Sequence, residues 1–209
     1  TVIDVNATDA DLPAQTLTFS ITGGADAARF AINATTGVVT FVSSPNFESP
    51  TDVGADNVYD LTVTASDGTR TVNQAIAVTV TAVNEFSPVF TSAATANFAE
   101  NGTGTIVTVQ ATDADLPTAT LTYSISGGVD AAKFAIDSAT GALTFVSAPN
   151  FEAPTDSGAN NVYNVQVTAS DGTNSTNQAL AITVTAVNDN DPVITTAAAV
   201  NFAENATGT

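Results

Sequence analysis

Along most of this chain apolar residues occupy every second position, the period at which the side chains of an extended strand share one face. The clearest runs are Tyr59, Leu61, Val63 and Ala65, then Ile76, Val78 and Val80, with Asp67-Gly68 between them as a turn. They predict a hairpin of two long strands. Upstream, Ile3, Val5 and Ala7 alternate with polar residues over Thr1 to Thr8, and Leu17, Phe19 and Ile21 do the same. Phe30 and Ile32 form a short inward-facing piece, Thr36-Gly37 turns the chain, and Val39 and Phe41 continue the core side. Residues 43–57, rich in Pro, Ser, Asp and Gly, read as a loop. No stretch sustains the helical period. Tyr59 and Tyr163 read as core residues whose hydroxyls reach the surface.

The same pattern then starts again. Asp113 follows Asp9, Phe134 follows Phe30, Glu152 follows Glu48, Asp171 follows Asp67 and Pro192 follows Pro88, each 104 residues later. Residues 1–88 and 105–192 agree at 58 of 88 positions without a gap, which predicts two copies of one fold. Asn201 to Thr209 repeats Asn97 to Thr105 with one change, Gly102 to Ala206, and reads as the first strand of a third copy. The expected division is therefore 1–88, a unit without its first strand; 89–192, a complete unit; and 193–209, the start of another, all taken from a longer array. The tail strand also matches what residues 1–88 lack, so exchange of that strand between molecules is a further expectation. About seven strands in roughly 104 residues is the signature of an antiparallel, Ig-like Greek-key sandwich. The fold class expected is all-β, with such sandwiches joined end to end.

Charge narrows the partners. The chain has 21 acidic residues against three basic ones, a formal net charge of −18, which disfavours nucleic acid and anionic membrane surfaces and favours divalent cations. Hydrophobic residues make up 44%, enough for packed cores and unlike a disordered acidic chain. Cys and His are both absent, so disulfides, thiolate or imidazole metal sites and a neutral-pH base are excluded. Any bound metal must be held by oxygen. No apolar run approaches the roughly 18 residues of a membrane span, so no membrane insertion is expected of these residues.

Oxygen donors are grouped in a way that suits calcium, which takes six to eight of them. Residues two apart in an extended segment point the same way, so Asp113 and Asp115 aim two carboxylates at one place, as do Asp9 and Asp11. Asp67 and Asp171 recur at matching positions. Like charges about 5 Å apart repel by roughly 3 kcal/mol at an effective dielectric near 20, so converging carboxylates call for a cation.

Six motifs in fixed order carry a resemblance: F-A-E-N (98–101), D-A-D (113–115), F-A-I-D-x-x-T-G (134–141), N-F-E (150–152), Y-x-V-x-V-x-A-S-D-G (163–172) and V-N-D-N-D-P (187–192). Together they resemble cadherin repeats. More closely, they are similar to the cadherin-like repeats of very large bacterial surface adhesins, with a P-T-D-x-G-x-x-N-x-Y insertion after N-F-E. The resemblance implies calcium at the joints between repeats. At the first joint it assigns Glu48 and Asn46 from the first repeat, Asn84, Glu85 and the Phe86 carbonyl from the linker, and Asp113, Asp115 and Asp171 from the second. At the second joint it assigns Glu100, Glu152, Asn150, Asn188, Asp189 and the Asn190 carbonyl, while Asp9, Asp11 and Asp67 form half of a preceding joint.

Departures from the family pattern weaken the expected sites. Ala82 and Ala186 stand where the joint usually opens on Asp, Asn46 and Asn150 stand where Asp is usual, and Glu85-Phe86 replaces Asp-Asn. One or two ions at the first joint follow from this. Asp52 and Asp156, in the inserted loop, either replace a missing carboxylate or hold a turn. The function implied is an extracellular, calcium-stiffened extender of an adhesin, with neighbouring repeats as partners. The alternative is direct binding of like repeats or a surface glycan. No catalytic residue is expected, since the joints account for every paired acid.

Overall fold

The structure, a computed structural model, describes residues 1–196 together with 198, 199, 201 and 204. It is an all-β sandwich. No α-helix occurs among the described residues, and Ala27–Arg29 and Ala131–Lys133 are single 3-10 turns.

The first strands are β1 (Ile3–Asp4), β2 (Thr18–Gly23), β3 (Phe30–Ile32), β4 (Val38–Phe41), β5 (Val58–Ser66) and β6 (Thr71–Thr79). β5 and β6 form the predicted hairpin, paired antiparallel from Val58–Thr79 to Ser66–Thr71, and β2 lies on the other edge of β5. The second sheet runs β1-β4-β3. Tyr59, Leu61, Val63 and Ala65 of β5 are buried against Phe19, Phe30 and Val39, so the period-two alternation does define the inner face. Burial of each Val, Leu or Phe among them contributes about 1.5–3 kcal/mol.

The pattern returns in β7 (Val89–Phe90), β8 (Thr95–Ala99), β9 (Thr105–Thr108), β10 (Ala111–Thr112), β11 (Thr122–Gly127), β12 (Phe134–Ile136), β13 (Ala142–Phe145), β14 (Val162–Ser170) and β15 (Ser175–Thr185). Its sheets are β11-β14-β15-β8 and β12-β13-β9, with β7-β10 as a small third. Nine segments of two to eleven residues stand where about seven strands were expected. β7 pairs antiparallel with β10, whereas β8 crosses over to pair in parallel with β15, so this opening length of chain serves two sheets. With β8 against β15, Leu180, Ile182 and Val184 are fully buried; Ile76 and Val78, their counterparts on β6, are only half-buried. A separate hydrophobic core results, around Val109, Leu143, Tyr163, Val167 and Ile182.

Two expectations change. The predicted opening strand of Thr1 to Thr8 shrinks to Ile3–Asp4, paired with Val39 and Val38, and Ile3 is exposed where Val2 and Val5 face the core. The tyrosine hydroxyls do not reach solvent. Tyr59 and Tyr163 are each 1% exposed, and their hydroxyls accept the Thr51 and Thr155 backbone N–H groups at 3.2 and 3.1 Å. The inserted loop is thus fastened over the core. The expected strand at Asn201 to Thr209 lies outside the described residues except for 201 and 204.

Candidate metal centre

Three groups of carboxylates converge, each with oxygens from its three members within 4.8 Å of one another: Asp9, Asp11 and Asp67; Asp113, Asp115 and Asp171; and Glu100, Glu152 and Asp189. Local backbone geometry builds the first two. Asp171 opens the turn between β14 and β15, where its Oδ1 accepts the N–H groups of Thr173 and Asn174 at 2.7 and 2.6 Å. Asp67 does the same for Thr69 and Arg70. Asp113 Oδ1 accepts Asp115 N–H at 2.9 Å, and Asp9 Oδ1 accepts Asp11 N–H at 2.8 Å. In each of these residues one oxygen fixes the rotamer, leaving the other to face the group.

The segment after β6 reaches the Asp113 group and completes it. Asp115, 3% exposed, accepts the backbone N–H of Glu85 and of Phe86, both at 3.1 Å. The Asn84 carboxamide lies beside them, its placed oxygen 3.2 Å from Asp171 Oδ2 and 3.3 Å from Asp115 Oδ2, while its NH2, turned over, would donate to both. Asp113 Oδ2 is buried without any hydrogen-bond partner. Oxygens brought together with no proton between them are the arrangement that a hard cation settles. Glu48 stands at the edge, its Oε1 accepting Leu116 N–H at 3.5 Å, outside the close carboxylate group. The Glu85 side chain is exposed, and the Phe86 carbonyl accepts from Asn174 Nδ2 at 2.8 Å.

Glu100 anchors the third group. It is 2% exposed, and its two oxygens accept Phe151 N–H and Val187 N–H, each at 2.7 Å. Those donors hold its carboxyl below the ordinary range, outweighing burial, with Glu152 adding to the effect. Asp189 accepts from Asn101 Nδ2 at 2.6 Å and from Asn190 Nδ2 at 2.8 Å, while Asn188 and Asn190 are exposed. Asn46 and Asn150 turn their amide oxygens into their own loops, toward Glu48 and Ser49 N–H and toward Ala153 N–H respectively.

Asp52 and Asp156 hold turns. Asp156 is 6% exposed and accepts N–H groups from Gly158, Asn160 and Asn161; burial alone would raise its pKa, but these donors win and lower it. Asp26 and Asp130, which sequence reasoning passed over, pin the same loops: Asp130 accepts Ser157 and Asn164 N–H at 2.7 and 2.8 Å. Asn174 was missed as well. Its one visible signal is that Arg70 stands at the matching place in the first copy.

Residues 94–200 match the family model described as Cadherin domain. The chain belongs to the cadherin family. Among cadherin relatives, mouse "Cadherin EGF LAG seven-pass G-type receptor 2" is 35% identical over 199 residues, which cover 91% of this chain and 6% of that protein. "Halomucin" of Haloquadratum walsbyi is 38% identical over 72 residues, covering 34% of this chain and 1% of that protein. The chain therefore spans a small fraction of the relatives it matches. Among solved structures, the Drosophila N-cadherin EC1-4 structure superposes with a TM-score of 0.68 at 23% identity, covering 88% of this chain and 44% of that one, a likeness of fold. Cadherin domains in general bind calcium. The all-oxygen donor groups described above, with the partnerless Asp113 Oδ2, fit that ion.

Proposed function

We propose that this chain is a stretch of tandem cadherin repeats, divided at residues 88 and 192, that serves as a calcium-stiffened extender of a long bacterial cell-surface adhesin. Each repeat is taken as a seven-stranded Greek-key sandwich joined end to end with the next, and residues 193–209 open a further repeat. The observation that carries this reading is the convergence of the Asp113, Asp115 and Asp171 carboxylates, with Asp113 Oδ2 buried and unpaired, at the place where the connecting segment docks through the Glu85 and Phe86 N–H groups. Ligands from both sides of one joint would be drawn together by one cation. Asp113, Asp115, Asp171, Asn84 and the Phe86 carbonyl would hold calcium, and the ion would supply the positive charge that lets these groups share one place. Glu48 reaches toward the same joint from the first repeat.

An extender role is supported by the sameness of the copies, 58 of 88 positions, because a spacer needs repetition and a binding face needs variation. The bacterial source rests on the inserted loop between Pro154 and Tyr163 and on its resemblance to adhesin repeats. Calcium titration by calorimetry tests the site. Wild-type protein is expected to bind in the range of about 10⁻⁴–10⁻³ M typical of extracellular modules. Asp113→Asn should weaken the joint by about tenfold or more through loss of one anionic ligand, while leaving melting in EDTA no lower than wild type. Equal affinities would remove Asp113 from the site.

A further inference from the structure

Asn174 lies outside the acidic groups, yet its side chain reaches the connecting segment. Its backbone N–H donates to Asp171 Oδ1 at 2.6 Å, and its NH2 donates to Asn84 Oδ1 at 2.7 Å and to the Phe86 carbonyl at 2.8 Å. Both acceptors are the neutral oxygens that the calcium reading places at the first joint. A carboxamide has a donor end and an acceptor end, so which end of Asn84 faces the carboxylates decides whether that place can take a cation. As placed, the oxygen faces Asp171 Oδ2 and Asp115 Oδ2 at 3.2 and 3.3 Å. Turned over, the NH2 of Asn84 would donate to both carboxylates and satisfy them without an ion. Against that rotation stands Asn174, whose NH2 would then meet another NH2 at 2.7 Å, donor on donor.

Resting on the calcium reading of this joint, we infer that Asn174 is a positioning residue that fixes the Asn84 amide and the Phe86 carbonyl with their oxygens available to the ion. A carbonyl oxygen has two lone pairs and accepts an N–H while it coordinates. Asn174 therefore sets calcium affinity without touching calcium. Groups that orient a metal ligand in this way typically change affinity by about 10–100-fold. The first copy lacks the device. There Arg70 occupies the matching position, and its charge, after the N–H donors of Arg70 and Thr69, helps hold Asp67 below the ordinary carboxylate range.

The test is a calcium titration of the ¹⁵N-labelled chain, followed at the Phe86 backbone amide, which donates to Asp115. Asn174→Ala is expected to lower affinity by about tenfold or more. Its melting temperature in EDTA should fall by a few degrees at most, because the side-chain bonds to Asn84 and Phe86 are lost while the backbone bond to Asp171 survives. In an Asn84→Asp background the same change should shift affinity by less than about twofold, since a carboxylate presents oxygen whichever way it turns. Equal affinity of wild type and Asn174→Ala, or an equal loss in both backgrounds, overturns the inference while the calcium reading stands. A wild-type Phe86 amide that ignores calcium overturns both.

Discussion

Asp156 shows how much of this chain's acidity is structural. Its carboxylate closes a loop by accepting three backbone N–H groups, and these outweigh burial to lower its pKa. Asp137 is lowered in the same sense by the Thr140 and Ala139 N–H groups and the Thr140 hydroxyl. A folded-state pKa below the unfolded value stabilises the protein above the unfolded value and is lost as pH falls through the folded one. In EDTA, the urea midpoint should therefore be flat from neutral pH to about pH 5 and fall below about pH 4. Asp156→Asn should lower the midpoint at neutral pH, and its gap from wild type should narrow as pH falls below the ordinary carboxylate range; a gap that does not change with pH would show that ionisation of Asp156 is not the source. The paired acids at 113 and 115 were legible in the sequence because spacing alone makes them converge. Asn174 and Asp130 were not, because their partners lie 27 to 90 residues away and no spacing rule encodes which end of an amide faces a neighbour.

At the scale of elements, period-two alternation identified β5, β14 and their partners because a strand buried on one face must place apolar residues on that face. It failed over Thr1 to Thr8, where Ile3 is exposed while Val2 and Val5 face the core and ladder pairing is confined to Ile3–Asp4. Turns were read from Gly, and the structure separates two kinds. Gly141 has φ 73°, and a Cβ there would lie 2.2 Å from the Val109 carbonyl oxygen. Gly172, in the turn that carries Asp171, has φ 97° with nothing within 4 Å of an added Cβ. Gly172→Ala should cost about 1 kcal/mol from backbone strain alone, and Gly141→Ala more than about 3 kcal/mol because backbone must also move. Denaturant midpoints measure both; comparable losses would mean that the close approach of β13's turn to Val109 does not matter. The inserted loop reads as loose in sequence and is fastened in the structure, by Tyr163, Asp156 and Asp130 together.

For the whole molecule the governing fact is a net charge of −18, with carboxylates gathered in threes around Asp9, Asp113 and Glu100. Without a cation, each such group opposes its own assembly, and the connecting segment is held by Asp115 and Asn174, while Glu48 touches Leu116 directly. On the proposed reading, calcium would turn that repulsion into the link between neighbouring repeats. Ion binding then adds to folding free energy and to stiffness at once. The direct measurement is small-angle X-ray scattering of the chain in EDTA and in millimolar calcium. The account predicts that calcium increases the maximum dimension, narrows the spread of shapes to a rod and raises the melting temperature. Identical scattering profiles and melting temperatures in the two solutions would contradict it.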